Sequence, residues 1–296
     1  MWEFLTEFPA IGRRDLAVMK KAIDEAFKGF SRTYGESLEN FFNPLLKFLV
    51  WIEKLLLATP WPVILVVVGG LAWLGSRSWK ITTGAVLAFV VIGVFDMWED
   101  TMATLAIISV ATLLCIVIGI PVGILMARSE RMQQLITPVL DVMQTIPSFV
   151  YLIPVVMLLG IGKVPGLIAV LIYAIPPVVR LTNLGIRLVD SEVLEAADAF
   201  GASPRQKLFG VQLPLALPNI FAGVNQTIMM ALAMVVVASM IGVQGLGLPV
   251  LKAIANQYFT LGIFNGLAIV GIAIIFDRTS QAYGKRLQKH LEVVHG

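Results

Sequence analysis

From residue 60 onward, long apolar runs alternate with short polar knots. A helix needs about 20 mainly apolar residues to cross the hydrocarbon core of a bilayer. By that measure the pattern predicts seven spans, at 60–76, 80–97, 101–127, 135–159, 163–181, 215–242 and 258–277, of which the first two are short. Residues 1–58 form a distinct N-terminal extension. Its last part, PLLKFLVWIEKLLL, carries Lys47, Glu53 and Lys54 among aliphatic and Trp residues. Residues 44–58 read as an amphipathic helix in the membrane interface, with an eighth span as the alternative. The expected fold is an all-α integral membrane protein, a polytopic bundle of about seven spans built from residues 59–296.

Composition supports that class. Of 296 residues 58% are hydrophobic and only 14% charged, where soluble domains carry roughly a quarter charged residues. The formal charge of +3 comes from scattered basic residues, which argues against nucleic acid as a partner. Cys115 is the sole cysteine and sits within IISVATLLCIVIGI; it has no disulfide partner and reads as a small buried apolar side chain. The start of the chain lacks the pattern of a cleavable signal peptide. No G-x-x-x-x-G-K-[ST] phosphate loop is present, so the chain is expected to bind no ATP itself. The two histidines, His290 and His295, both lie in the tail, and neither a metal site nor His-based catalysis is expected within the spans. The chain reads as a non-enzymatic membrane subunit without a cofactor of its own.

Orientation follows from Lys and Arg in the short loops. Arg77 and Lys80, then Arg128 and Arg131, then Arg180, Arg187, Arg205 and Lys207, and finally Arg278, Lys285, Arg286 and Lys289 fall on one side. The opposite loops hold Asp96, Glu99, Asp100, Lys163 and Lys252. This places the C-terminus in the cytoplasm and the N-terminus outside, even though the first 58 residues are rich in Lys and Arg, because long tails translocate despite their charge. Prolines recur in the spans, from Pro121 to Pro218. They kink helices that neighbours must then satisfy, as suits a transporter that changes shape.

The connector at about 188–214 contains EAADAFGASPRQKLFGVQLP. Asp190 or Ser191 can cap a short helix with Glu192 and Glu195 in its opening turns. Gly201 suits the left-handed position that ends a helix, and Ser203, Pro204 and Gln206 read as a capping box with proline at the first helical position. The second short helix is expected to stop before Pro214. A DNA-binding unit and a partnerless solvated connector compete with a docking element. Ala196, Ala197, Ala199, Phe200, Leu208 and Phe209 offer an apolar patch on a connector longer than usual, which favours docking.

EAA, three residues, Gly, nine residues and VQLP together resemble the cytoplasmic loop signature of ABC importer permeases, here Glu195, Ala196, Ala197, Gly201, Val211, Leu213 and Pro214. Valine stands at the position usually given as isoleucine. The runs DVMQTIPSFVYLIPVVMLLGIG, AIPPVVRLTNLGIR, GVNQTIMMALAMVVVASMIG and QGLG look like the branch importing glycine betaine, proline betaine, choline and related quaternary ammonium compounds. The resemblance spans about Thr101 to Gln281. It implies a type I importer permease in a bacterial inner membrane, whose loop seats on a separate ATP-binding subunit. It further implies a second copy of the permease and an external substrate-binding protein as partners. ATP-driven closure would draw the two loops together and rock the spans.

Candidate pathway residues are Asp141, Phe149, Tyr151 and Tyr173, with Trp98 as a further aromatic. Aromatic faces suit a quaternary cation, while packing or interfacial anchoring is the alternative role. Asp141 is a carboxylate within a predicted span, where ionisable groups are costly and often functional. The rival classes are an ion-gradient-driven secondary transporter or channel and a structural membrane scaffold.

Overall fold

The computed structural model describes residues 10–294. Residues 1–9, where the signal-peptide reading falls, and His295 lie outside it, as do the side chains of Lys285, Lys289 and His290. Among the described residues twelve α-helices follow one another: α1 (Arg13–Ala58), α2 (Trp61–Ser76), α3 (Trp79–Val94), α4 (Trp98–Arg128), α5 (Glu130–Thr145), α6 (Ser148–Leu159), α7 (Lys163–Arg187), α8 (Ser191–Ala199), α9 (Pro204–Lys207), α10 (Leu213–Ser239), α11 (Gly247–Asn256) and α12 (Phe259–Val294). Among the described residues there is no β-strand.

Each predicted span falls on helix, with instructive differences. Among the described residues four helices are long and apolar enough to cross a membrane alone, or up to six counting each bent pair as one span. The predicted span 135–159 is not one rod: α5 and α6 meet at 98°. The break has a local cause. Ile146 precedes Pro147 and is extended at φ −66° and ψ 129°, since the proline ring disfavours the helical region for its predecessor. α2 and α3 have 16 residues each and are short for the hydrocarbon core. They form a hairpin, left through Arg77 in the left-handed region, that packs against α12. α12 itself runs well past the predicted end at residue 277.

Residues 44–58 are the C-terminal part of α1, a helix of 46 residues and so about 70 Å long. Leu49 and Glu53 are buried there, and α1 packs against α4 and α6. The Glu53 carboxylate pairs with Lys163 Nζ at the start of α7, both side chains being largely covered. α1 turns into α2 at 108° across Thr59 and Pro60.

The centre of the bundle is α7, packed between α4 and α10. Glycine sets how closely these helices approach, as small residues do in membrane interfaces. A Cβ at Gly119 of α4 would lie 2.4 Å from Val178 Cγ1, and one at Gly123 would lie 2.7 Å from the Val179 carbonyl oxygen. On the other side of α7, a Cβ at Gly223 of α10 would stand 3.0 Å from Val178 Cα, and one at Gly185 of α7 2.7 Å from Asn219 Cβ. Cys115 is buried here beside Leu171.

Candidate functional site

The polar connector folds as capped short helices. Asp190 Oδ1 accepts from Glu192 N–H at 2.9 Å and starts α8. Gly201 ends that helix at φ +75° with open space where a Cβ would be, so the backbone angle, not crowding, demands glycine. Ala202 N–H donates to the Ala197 carbonyl at 3.0 Å, which closes the helix end. Ser203 and Gln206 form the reciprocal capping box, with Ser203 N–H donating to Gln206 Oε1 at 2.8 Å.

The second helix does not stop before Pro214. A π-helical turn at Leu208–Gln212 joins α9 directly to α10, and Leu213 N–H donates to the Leu208 carbonyl five residues back. Proline clashes with the carbonyl four residues before it in regular helix; the extra residue of the π turn shifts that register just ahead of Pro214 and lets the helix continue. Pro204–Ser239 is therefore one helical rod.

The seven signature residues share this segment, and they divide by exposure. Glu195, Ala196 and Gly201 are exposed, while Ala197, Val211, Leu213 and Pro214 are partly covered. Phe200 is 92% and Phe209 66% exposed, large apolar surfaces that water disfavours. Leu208, expected in the same patch, is instead buried beneath it at 3% exposure. Two ion pairs that the sequence reading did not find brace the segment. Lys207 Nζ lies 2.6 Å from Asp198 Oδ1, across the Gly201 turn. At the end of α7, Arg187 donates to Glu130 of α5, to the Met126 carbonyl of α4 at 2.9 Å and to Asn183 Oδ1 at 3.0 Å. One guanidinium thus ties three helix ends together beside the connector, using the fork geometry that lysine lacks.

The candidate pathway residues do not gather at one point. Asp141 Oδ1 accepts from Arg180 Nη2 of α7 at 2.5 Å, so its charge is already paired within the chain. Phe149 is 52% exposed near the start of α6. Tyr151 and Tyr173 pack against the central core, and the Tyr151 hydroxyl is buried without a partner among the described residues. Trp98 packs edge-on against Phe89, with ring centroids 6.4 Å apart. The QGLG run lies at the opposite end of α10. Leu246 N–H donates to Thr104 Oγ1 of α4 at 2.9 Å, and a Cβ at Gly245 would come within 2.5 Å of the same oxygen. That run closes the bundle by backbone contact.

A carboxylate that the sequence reading passed over stands in α12. Asp277 Oδ1 accepts from Asn225 Nδ2 of α10 at 3.0 Å and from Gln281 Nε2 at 2.8 Å. Asp277 falls on the last residue of the predicted span 258–277, and its spacing of four residues to Gln281 is the signal in the sequence that points to it.

With this geometry in place, comparison with known proteins is informative. Residues 119–289 match the family described as binding-protein-dependent transport system inner membrane component, more than half of the chain. The glycine betaine/proline betaine transport system permease protein ProW of Escherichia coli (strain K12) is 51% identical over 233 residues, 79% of this chain and 66% of that protein. The chain thus spans just under two thirds of that relative's length. The glycine betaine/carnitine transport permease protein GbuB of Listeria monocytogenes is 43% identical over 89% of this chain and 94% of its own length. The glycine betaine transport system permease protein OpuAB of Bacillus subtilis is 39% identical over 88% of this chain and 89% of its length. Among solved structures, an inward-facing form of the MetNI methionine ABC transporter superposes with a TM-score of 0.57 at 20% identity, covering 62% of this chain and 93% of that one. That likeness concerns the fold. It shares with this chain an all-helical bundle, and the family match runs from the Gly119 packing face of α4 through the connector into α12. The chain belongs to the family of binding-protein-dependent transport system inner membrane components.

Proposed function

We propose that this chain is the transmembrane permease subunit of an ATP-driven importer for glycine betaine, proline betaine, choline or a related quaternary ammonium compound. The observation that carries the reading is the exposed pair Phe200 and Phe209 on a capped, ion-paired connector. An apolar surface held this firmly at the end of a membrane helix calls for a protein to cover it, and an ATP-binding subunit is the partner that fits. Relatives named as permeases for glycine betaine, proline betaine and carnitine support the quaternary ammonium class. A second copy of the chain completes the pathway, an external binding protein delivers the solute, and ATP is consumed by the partner subunit. Asp141, Phe149, Tyr151 and Tyr173 remain the proposed pathway contacts, on α5, α6 and α7, with Asp141 acting through its Arg180 pair.

The protein lies in a bacterial inner membrane with its C-terminus cytoplasmic and its N-terminus outside. Arg286 Nη1 donates to the Leu74 carbonyl at 3.0 Å, which supports putting the C-terminal part of α12 on the same side as Arg77 and Lys80. The connector, flanked by Arg187 and carrying Arg205 and Lys207, belongs on that side too.

The test is purification from the native membrane followed by reconstitution. Co-purification of a P-loop ATPase, and ATP-dependent accumulation of radiolabelled glycine betaine or choline in proteoliposomes, are the expected results. Accumulation driven by an ion gradient in the absence of any ATPase would replace this reading with a secondary transporter.

A further inference from the structure

An open cavity of about 490 Å³ lies between α10 and α12, with Asn225, Gln226, Asp277 and Gln281 on its polar wall and Phe221 and Met229 on its apolar one. Asn225 lies about 18 Å along α10 from Leu213, inside the predicted span 215–242, and Asp277 stands at the cytoplasmic end of the predicted span 258–277, so this polar wall sits in the cytoplasmic half of the membrane. Charged and amide side chains facing lipid there are costly, and such groups face a bundle interior or a water-filled path instead. The face is separate from the Gly223 contact with α7.

The polar groups have an incomplete set of partners. None of the ion pairs among the described residues includes Asp277. One carboxylate oxygen takes both amide donors, from Asn225 and Gln281, which fix its orientation. Asn225 Oδ1 is buried and has no donor among the described residues. Phe221, held edge-on by Tyr283 with ring centroids 5.0 Å apart, adds an aromatic surface. An oriented anion, an orphaned carbonyl oxygen and an aromatic wall form a receptor for a soft organic cation, whose bulky charge gains from carboxylate and ring together.

We propose that the Asp277 cavity is a binding site for the quaternary ammonium group of the solute on its way through the membrane. This rests on the permease reading above. Gln226, exposed at the rim, supplies an amide donor for the carboxylate of a betaine, which choline lacks.

The test uses the assembled transporter in proteoliposomes with radiolabelled glycine betaine and choline. Asp277→Asn is expected to lower uptake of both about tenfold or more, the effect of one lost contact to a charged group. Assembly with the ATPase and ATP hydrolysis stimulated by the loaded binding protein should persist. Gln226→Ala is expected to weaken betaine more than choline. Wild-type uptake and half-saturation in Asp277→Asn would overturn the proposal, as would loss of subunit association in that variant, which would make Asp277 an assembly residue. If Asp277→Asn fails to fold, Phe221→Leu carries the test: half-saturation for choline should rise several-fold, and an unchanged value overturns the site. Failure of the wild type to accumulate either solute would instead strike the permease reading itself.

Discussion

Lys207 Nζ lies 2.6 Å from Asp198 Oδ1, so the short helices on either side of Gly201 are joined by charge as well as by backbone. The Asp198 side chain is 56% exposed, and such a pair contributes about 1 kcal/mol at most. Lys207→Met should leave the melting temperature of the purified protein within error. It should nonetheless weaken ATPase co-purification, because the angle between α8 and α9 is no longer pinned. The exchange Asp198→Lys with Lys207→Asp should restore it.

Gly201 makes a different demand. At φ +75° a side chain is strained even though the space beside it is open, at a cost of about 1–2 kcal/mol. Gly201→Val should therefore insert and fold but lose ATP-coupled uptake, whereas Gly201→Asn, which tolerates the left-handed region better, should keep much of it. Equal uptake in both variants would separate the turn from coupling.

Arg187→Lys should behave nearly as badly as Arg187→Met. The three acceptors on Glu130, Met126 and Asn183 are spread around a planar fork, and an ammonium point charge cannot reach them together. A loss of about 1–3 kcal/mol is expected, visible as faster amide exchange at the junction of α4 and α5. Full protection in Arg187→Lys would show that the fork is dispensable.

The Glu53 and Lys163 pair should show strong coupling between its two sides. Glu53→Leu alone leaves a largely covered ammonium unpaired, which costs about 3 kcal/mol or more. Glu53→Leu combined with Lys163→Met should recover most of that stability. A double-mutant cycle on thermal unfolding in detergent measures the coupling, and simple additivity would rule it out.

Gly123→Ala should be among the most damaging methyl additions in the chain. The new Cβ would meet Thr182 Cβ at 2.6 Å and the Val179 carbonyl at 2.7 Å, so α4 and α7 must part. About 1–3 kcal/mol is expected. Gly266→Ala, with nothing within 4 Å, is the matched control and should melt like the wild type.

What the sequence revealed and what it hid follow from the range of the interactions involved. Hydropathy located the four helices long and apolar enough to cross a membrane, because burial in lipid is a property of consecutive residues, but it passed over the polar first part of α1, residues 13–43. The cap at Asp190, the Gly201 turn and the Ser203–Gln206 box are local as well, and all three were readable from spacing. The bend after Thr145 depends on Ile146 and Pro147, yet a hydropathy window averages across such a dipeptide. Pro214 misled in the other direction, since a π turn can absorb a proline that a regular helix would reject. Arg187 with Glu130 and Asn225 with Asp277 are separated by 57 and 52 residues, and no pattern within one helix announces such a pair. Placement of Asp141 among pathway residues came from its charge alone, and its Arg180 partner became visible only once α5 and α7 were set side by side.

The unbroken helix from Pro204 to Ser239 has 36 residues, or about 54 Å of nearly rigid length. It rests on α7 where Asn219 meets Gly185 and Gly223 meets Val178, close to its midpoint. Such a rod is a lever with its fulcrum inside the bundle: a push at Pro204 in one direction is delivered near Ser239 in the other, at similar amplitude. Closing one mouth of the bundle and opening the opposite one would then be a single mechanical stroke, with no relay of side chains needed between them.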